Sequence, residues 1–207
     1  MPRARLSKRR LLGFDRSGPP PPQTAADAAW HPWTVPNAIG YGRIALIPVF
    51  LVLDYDSRHG TNTLAAICFF LAGGADYLDG IAARLTGQYS RLGAVLDPLI
   101  DRTLVLAGAA VCWSYELLPR WALAVLLVRE LLMLFAGQAW LRRGFALAIN
   151  WPGRIAVAPT MLGIWLGLLG VRSVGEVFLY VGLSLAWIAT AVYFRDGLAQ
   201  TSVSSST

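Results

Sequence analysis

The stretch Ala75–Arg102, ADYLDGIAARLTGQYSRLGAVLDPLIDR, carries the aspartates Asp76, Asp79, Asp97 and Asp101 inside a chain that otherwise reads as membrane. Asp76 and Asp79 are three residues apart and Asp97 and Asp101 four apart. On helices, either spacing puts the pair on one face. The short connection around LTGQYS turns the chain back between two apolar runs, so both pairs converge on one volume just inside one surface of a helical bundle. Four desolvated negative charges in that volume need neutralising. Oxygen-only carboxylate ligation suits hard divalent ions such as Mg²⁺ or Mn²⁺, and two such ions would balance four carboxylates. Paired divalent ions are also common machinery for displacement at phosphorus.

The whole chain is 56% hydrophobic and 14% charged, whereas ordinary soluble domains carry about a quarter charged residues. Its 207 residues suffice for one domain. The apolar residues gather into six runs: Asn37–Leu53, Thr63–Arg84, Leu92–Tyr115, Pro119–Leu141, Ile155–Val171 and Gly175–Phe194. Each is near the ~20 residues that a helical bilayer crossing needs. Helices satisfy their own backbone hydrogen bonds in lipid. The expected fold is therefore all-α, a polytopic membrane bundle of about six transmembrane helices. A soluble helical core would show a polar face at helical period, and these runs lack one.

The basic residues orient the bundle. Arg3, Arg5, Lys8, Arg9, Arg10 and Arg16 lie in the amino-terminal tail, Arg84 and Arg91 in the second connection, Arg142, Arg143 and Arg154 in the fourth, and Arg195 at the end. The other side carries only Arg58, Arg120 and Arg172. The positive-inside rule puts both termini and the aspartates at the cytoplasmic face of a cell membrane. Anionic head groups and an anionic substrate account for the net charge of +6 without nucleic acid. One lysine against seventeen arginines is consistent with a high-GC bacterial genome. Cys68 and Cys112 lie in apolar runs and read as small buried hydrophobes. His31 and His59 lie outside the spans, so a histidine-based metal site is not expected.

Residues 1–29 read as a basic, proline-rich, disordered cytoplasmic tail, 30–196 as the membrane domain, and 197–207 as a disordered tail. AAWHPWTVPN, ahead of the first span, suits the membrane interface, and RRGFALAINWPGR is similar, with a Trp-Pro-Gly break. Gly80 directly follows Asp79, and Gly93 lies one turn before Asp97. Both would let a bulky ligand approach the backbone, or would simply serve close helix packing. Arg84 would offer a fork to phosphate or snorkel to the surface.

The spacing D-x-x-D-G-x-x-A-R-x8-G-x-x-x-D-x-x-x-D resembles the signature of the CDP-alcohol phosphotransferases, and Asp76, Asp79, Gly80, Ala83, Arg84, Gly93, Asp97 and Asp101 match every fixed position. The resemblance implies transfer of a substituted phosphate from a CDP-alcohol to a second alcohol, with release of CMP. It implies that Asp76, Asp79 and Asp97 hold the metal ions, and that Asp101 ligates one ion and takes the proton of the attacking hydroxyl. It sets Gly80, Arg84 and Gly93, joined by Ser90 and Asn37, against the cytidine diphosphate. It also suggests a homodimer.

A site in the membrane with a cytoplasmic mouth suits CDP-diacylglycerol as donor. VPNAIGYGRIALIP, with Asn37, Arg43 and Pro48, resembles the opening of bacterial phosphatidylglycerophosphate synthases, as do LDPLIDR, VREL (Val128–Leu131) and NWPGR (Asn150–Arg154). Arg154 stands where lysine is usual in that family. Glycerol 3-phosphate is then the expected acceptor, with Arg129 and Arg154 as candidate phosphate ligands. Either arginine has a plainer role, Arg129 pairing with a carboxylate and Arg154 anchoring at the interface. Cardiolipin synthases, which use phosphatidylglycerol as acceptor, are the alternative. A cation transporter is a different class, but its site would sit near the midplane on broken helices. A catalytically dead scaffold would not need all four aspartates.

Overall fold

The computed structural model describes residues 30–204 except 87, 89 and 143–150. The described residues form six α-helices and no strand: α1 (Val35–Asp56), α2 (Thr63–Thr86), α3 (Arg91–Ser114), α4 (Arg120–Arg142), α5 (Trp151–Leu168) and α6 (Arg172–Ser204). They fall on the six apolar runs and bear out the all-helical membrane bundle. Three stretches are long and apolar enough to cross a membrane: α1, Thr63–Ala83 of α2, and Arg172–Arg195 of α6. Ala156–Leu168 in α5 is a shorter apolar stretch. α3 and α4 have the length, at 24 and 23 residues, or roughly 35 Å at the helical rise. Both carry charge within the apolar run: Asp97, Asp101 and Arg102 in α3, Arg129 and Glu130 in α4.

Side-chain oxygens cap the helix starts. Asn62 Oδ1 accepts from the backbone N–H of Leu64 at 2.9 Å and of Ala65 at 3.3 Å, and Ser90 Oγ accepts from Gly93 N–H at 3.0 Å. The Trp-Pro-Gly sequence opens α5 and does not break it, because proline fits the first turn, where its missing N–H has no helical partner. α5 ends at Gly170, with φ at +78° and Val171 N–H donating to Leu166 O at 2.9 Å. α3 ends in the same way with Glu116 at φ +56°, and the cost of a side chain there, roughly 1–2 kcal/mol, is partly offset by an ion pair from Arg120 Nη1 to Glu116 Oε1 at 2.9 Å. α6 runs on to Ser204, past the boundary at 196 where the sequence suggests a disordered tail; Leu198, Ala199 and Gln200 favour continuation. The basic tail of residues 1–29 lies outside the described residues.

Contacts divide the chain into two compact units, one of residues up to Val52 with Ile67–Leu104, the other of Leu53–Ala66 with residues from Val105 onward. α1, α2 and α3 thus contribute to both. In the first unit Ile47, Phe50, Phe69, Ala72, Ile100 and Leu104 are buried, and the rings of Phe50 and Phe69 lie 5.4 Å apart. In the second, α5 and α6 meet through small residues, the usual device where lipid offers no hydrophobic drive between helices. A Cβ at Gly163 would lie 2.6 Å from Leu179 N, and one at Gly182 only 2.6 Å from Thr160 N. Trp165 Nε1 donates to Ala66 O at 3.0 Å. Asp54 is fully buried, and neither of its carboxylate oxygens has a hydrogen-bond partner among the described residues.

Because both close approaches are to backbone, Gly182→Ala must push α5 and α6 apart. It is expected to destabilise the protein by about 1–3 kcal/mol, read as a thermal midpoint lower by several degrees in detergent. An unchanged midpoint would show that this contact is looser than described.

Candidate active site

The first unit brings the four aspartates together around a cation that α1 supplies. Arg43 is fully buried, and its Nη1 donates to Asp76 Oδ1 at 3.0 Å and to Asp79 Oδ2 at 3.2 Å. Nη2 donates to Asp101 Oδ1, and Nε to the Ala72 carbonyl at 2.8 Å. Asp97 lies within electrostatic reach of Asp76, Asp79, Asp101 and Arg43. Three helices therefore converge through charge: α1 by Arg43, α2 by Asp76 and Asp79, α3 by Asp97 and Asp101.

The cluster is closed below and open above. Side-chain exposure is 0% for Arg43 and 7% for Asp79, but 34% for Asp101 and 47% for Asp76. A ligand can reach the carboxylates at the Asp76 and Asp101 edge. Among the described residues no three His, Cys, Asp or Glu side chains are gathered on an ion-sized point; the guanidinium sits among the carboxylates. The donors are all carboxylate oxygens, and they already hold one cation. That set fits a hard divalent ion. Arg43 stands outside the sequence-derived site, although the same signal that flagged Arg129, a charge inside an apolar run, applies to it equally.

Asn37, Ser90 and Gly93 also come together, as a hydrogen-bonded knot. Asn37 Nδ2 donates to His31 O at 2.9 Å and to Pro32 O at 3.1 Å, while Asn37 Oδ1 accepts from Ser90 Oγ at 2.9 Å. Ser90 Oγ in turn caps α3 at Gly93 N–H. Asn37 and Ser90 are buried, and these bonds use both N–H groups of the Asn37 amide and one lone pair of its oxygen. Their role visible in the structure is to pin the start of α1 to the start of α3. Gly93 is needed here, since a Cβ would lie 2.7 Å from Asn37 Oδ1 and 3.2 Å from Ser90 Oγ.

Gly80 follows Asp79 within α2. Arg84 and Arg154 lie on helical backbone, but their side chains lie outside the described residues. Arg129 belongs to the second unit, where its Nε donates to Thr190 Oγ1 at 3.2 Å and its Nη1 to Glu130 Oε1. The carboxylate partner foreseen as its plainer role is thus the residue next to it.

Gly93→Ala is expected to break the Asn37–Ser90 bond, cost about 1–3 kcal/mol, and lower activity more than stability alone explains, because α3 carries Asp97 and Asp101. Thermal melts alongside turnover of the purified variant check this. Turnover falling only in step with the folded fraction would confine Gly93 to packing.

The fold and this site define a helical membrane protein with a buried, partly open cluster of carboxylates around one guanidinium. The CDP-alcohol phosphatidyltransferase family model matches residues 33–192, and the chain belongs to that family. The family comprises phospholipid-biosynthetic transferases that generally use divalent metal ions. The chain is 33% identical over 174 residues to the cardiolipin synthase (CMP-forming) of Streptomyces coelicolor, covering 80% of each chain. It is 30% identical over 135 residues to the CDP-diacylglycerol–glycerol-3-phosphate 3-phosphatidyltransferase of Bacillus subtilis, covering 59% of this chain and 70% of that one. With the Pectobacterium atrosepticum enzyme of the same name it shares 26% over 174 residues, covering 79% and 94%. The resemblance carried by the aspartate spacing is borne out.

Proposed function

We propose that this protein transfers the phosphatidyl group of CDP-diacylglycerol to a glycerol hydroxyl and releases CMP, at a site facing the cytoplasm of a bacterial membrane. The observation that carries this is the convergence of Asp76, Asp79 and Asp101 on one buried guanidinium, with Asp97 beside them and one edge open. Asp76, Asp79, Asp97 and Asp101 would hold two ions, Mg²⁺ or Mn²⁺, which when bound supply positive charge to the diphosphate.

The rest of the work falls to the chain. The acceptor hydroxyl oxygen forms a bond to the phosphorus that bears diacylglycerol, and the bond from that phosphorus to the CMP oxygen breaks. Asp101, part-exposed at the open edge, accepts the hydroxyl proton as the new bond forms. Gly80 leaves room for the diphosphate to approach the α2 backbone, and Arg84 would supply a fork to its oxygens; Gly93 acts by letting Asn37 and Ser90 close on the start of α3.

Glycerol 3-phosphate is the first acceptor, and Arg154 and Arg129 are the candidates the sequence offers for its phosphate. Two observations favour a second reading, in which phosphatidylglycerol is the acceptor. Identity to the cardiolipin synthase is 33%, against 30% and 26% to the two glycerol-3-phosphate enzymes. Arg129 also already spends donors on Glu130 and Thr190. The two acceptors share a glycerol hydroxyl with phosphate on the far carbon, so the chemistry at Asp101 is the same for both.

One assay separates them: purified protein, CDP-diacylglycerol and Mg²⁺, with glycerol 3-phosphate or phosphatidylglycerol offered separately and CMP measured. CMP with glycerol 3-phosphate supports the first reading, CMP with phosphatidylglycerol alone the second, and CMP with neither overturns both. EDTA is expected to stop turnover, and Mg²⁺ or Mn²⁺ to restore it. Asp101→Asn is expected to lower turnover by about 10²–10⁴-fold, the usual worth of a positioned base, while CDP-diacylglycerol still binds. Near-normal turnover in that variant would move the base elsewhere.

A further inference from the structure

We infer that Arg43 is a built-in counter-cation of the aspartate cluster, which competes with divalent ions for the same carboxylates and so ties full metal loading to arrival of the nucleotide diphosphate. The inference rests on the metal requirement in the function proposed above, and on no choice of acceptor.

Arg43 is held for this task from several sides. Its Nε is fixed to the Ala72 carbonyl at 2.8 Å, so the fork is anchored to α2 backbone before it meets any carboxylate. Its two terminal nitrogens then take oxygens from Asp76, Asp79 and Asp101. Those residues supply the ligand oxygens in the proposed reaction. A metal ion and the guanidinium therefore draw on the same three carboxylates, each of which gives Arg43 one of its two oxygens. Asp97, which meets the cluster through its charge, is the carboxylate this fork leaves open.

The charge count points the same way. Four ionised carboxylates and one guanidinium carry three net negative charges. One divalent ion leaves a single negative charge, and a second would make the site positive. A buried site opposes that excess until a diphosphate brings its own negative charge. Without Arg43 the same carboxylates would balance two ions with no nucleotide present. A guanidinium that merely clamped α1 to α2 and α3 would give the opposite expectation: its loss would loosen the carboxylates and weaken metal binding.

The test is Mn²⁺ binding to the full-length protein in detergent, followed by calorimetry and by the free-ion EPR signal, with and without CDP. In the wild type, one equivalent is expected without CDP and a second only with it. Arg43→Gln is expected to bind two equivalents without CDP, the first about tenfold or more tighter than wild type, as loss of a unit charge at this range implies. Its thermal midpoint should be low in EDTA and rise further with Mn²⁺ than that of the wild type. Arg43→Lys keeps the charge and should keep the CDP dependence. Equal or weaker Mn²⁺ binding in Arg43→Gln, with the CDP dependence intact, would make Arg43 a structural clamp and leave the transferase reading standing. If Arg43→Gln does not fold, the wild type decides alone: two equivalents bound without CDP overturn the inference. Failure of all three proteins to bind Mn²⁺ even with CDP would overturn both the inference and the metal reading beneath it.

Discussion

The first unit depends on one interaction, the buried guanidinium of Arg43 against the carboxylates of Asp76, Asp79 and Asp101. In lipid, helices gain little from hiding apolar surface against one another. Charge that has already been desolvated must find a partner. Removing one side of such a cluster typically costs 3–5 kcal/mol, because the other side is left uncompensated. α1, α2 and α3 each bring part of this cluster, so the force that fixes their positions is supplied by the same groups to which the proposed reaction assigns the chemistry. In that reading stability and catalysis share atoms.

The second unit is held differently. α5 and α6 approach through Gly163, Gly175 and Gly182, and backbone packs on backbone where side chains would keep the helices apart. Of its buried charged side chains, Arg129 is paired with the adjacent Glu130, while the Asp54 carboxylate has no hydrogen-bond partner among the described residues. Small-residue packing tolerates little displacement, whereas the aspartate cluster of the first unit is partly exposed at Asp76 and Asp101.

What could be read from the sequence follows from the range of each interaction. The i,i+3 and i,i+4 spacing of the aspartates is helix geometry, and the apolar runs are lengths of chain; both are local, and both hold. Arg43 meets its partners 33, 36 and 58 residues away, and Asn37 meets Ser90 53 residues away. No periodicity reports such distances, so Arg43 reads only as part of a family-like opening, and the bond between Asn37 and Ser90 is not foreseen at all. The Trp-Pro-Gly start of α5 shows a different limit, since proline opens a helix as readily as it ends one. Asp54 shows a third. A carboxylate near the end of an apolar run reads as a surface residue, and only the folded chain reveals that it is enclosed.

The turns that carry the aspartates also bear on the donor. Tyr77 and Leu78 lie between Asp76 and Asp79, and Val95 and Leu99 flank Asp97; all four are more than half exposed, at 51%, 57%, 56% and 57%. Successive helical positions are 100° apart, so residues that alternate with an inward-facing carboxylate pair must face outward. In water such exposure would be a liability, but against acyl chains it is satisfied. A ligand that reaches the open edge at Asp76 and Asp101 thus meets carboxylates and apolar side chains within the same helical turns. A water-soluble CDP-alcohol would use only the first of these surfaces. A donor of the kind proposed, with a diphosphate and two acyl chains, would use both, its chains remaining in the bilayer while its phosphorus met the open edge. Carboxylates and lipid-facing apolar side chains stand on neighbouring faces of α2 and α3, so the proposed donor would find its polar and its apolar contacts on the same two helices.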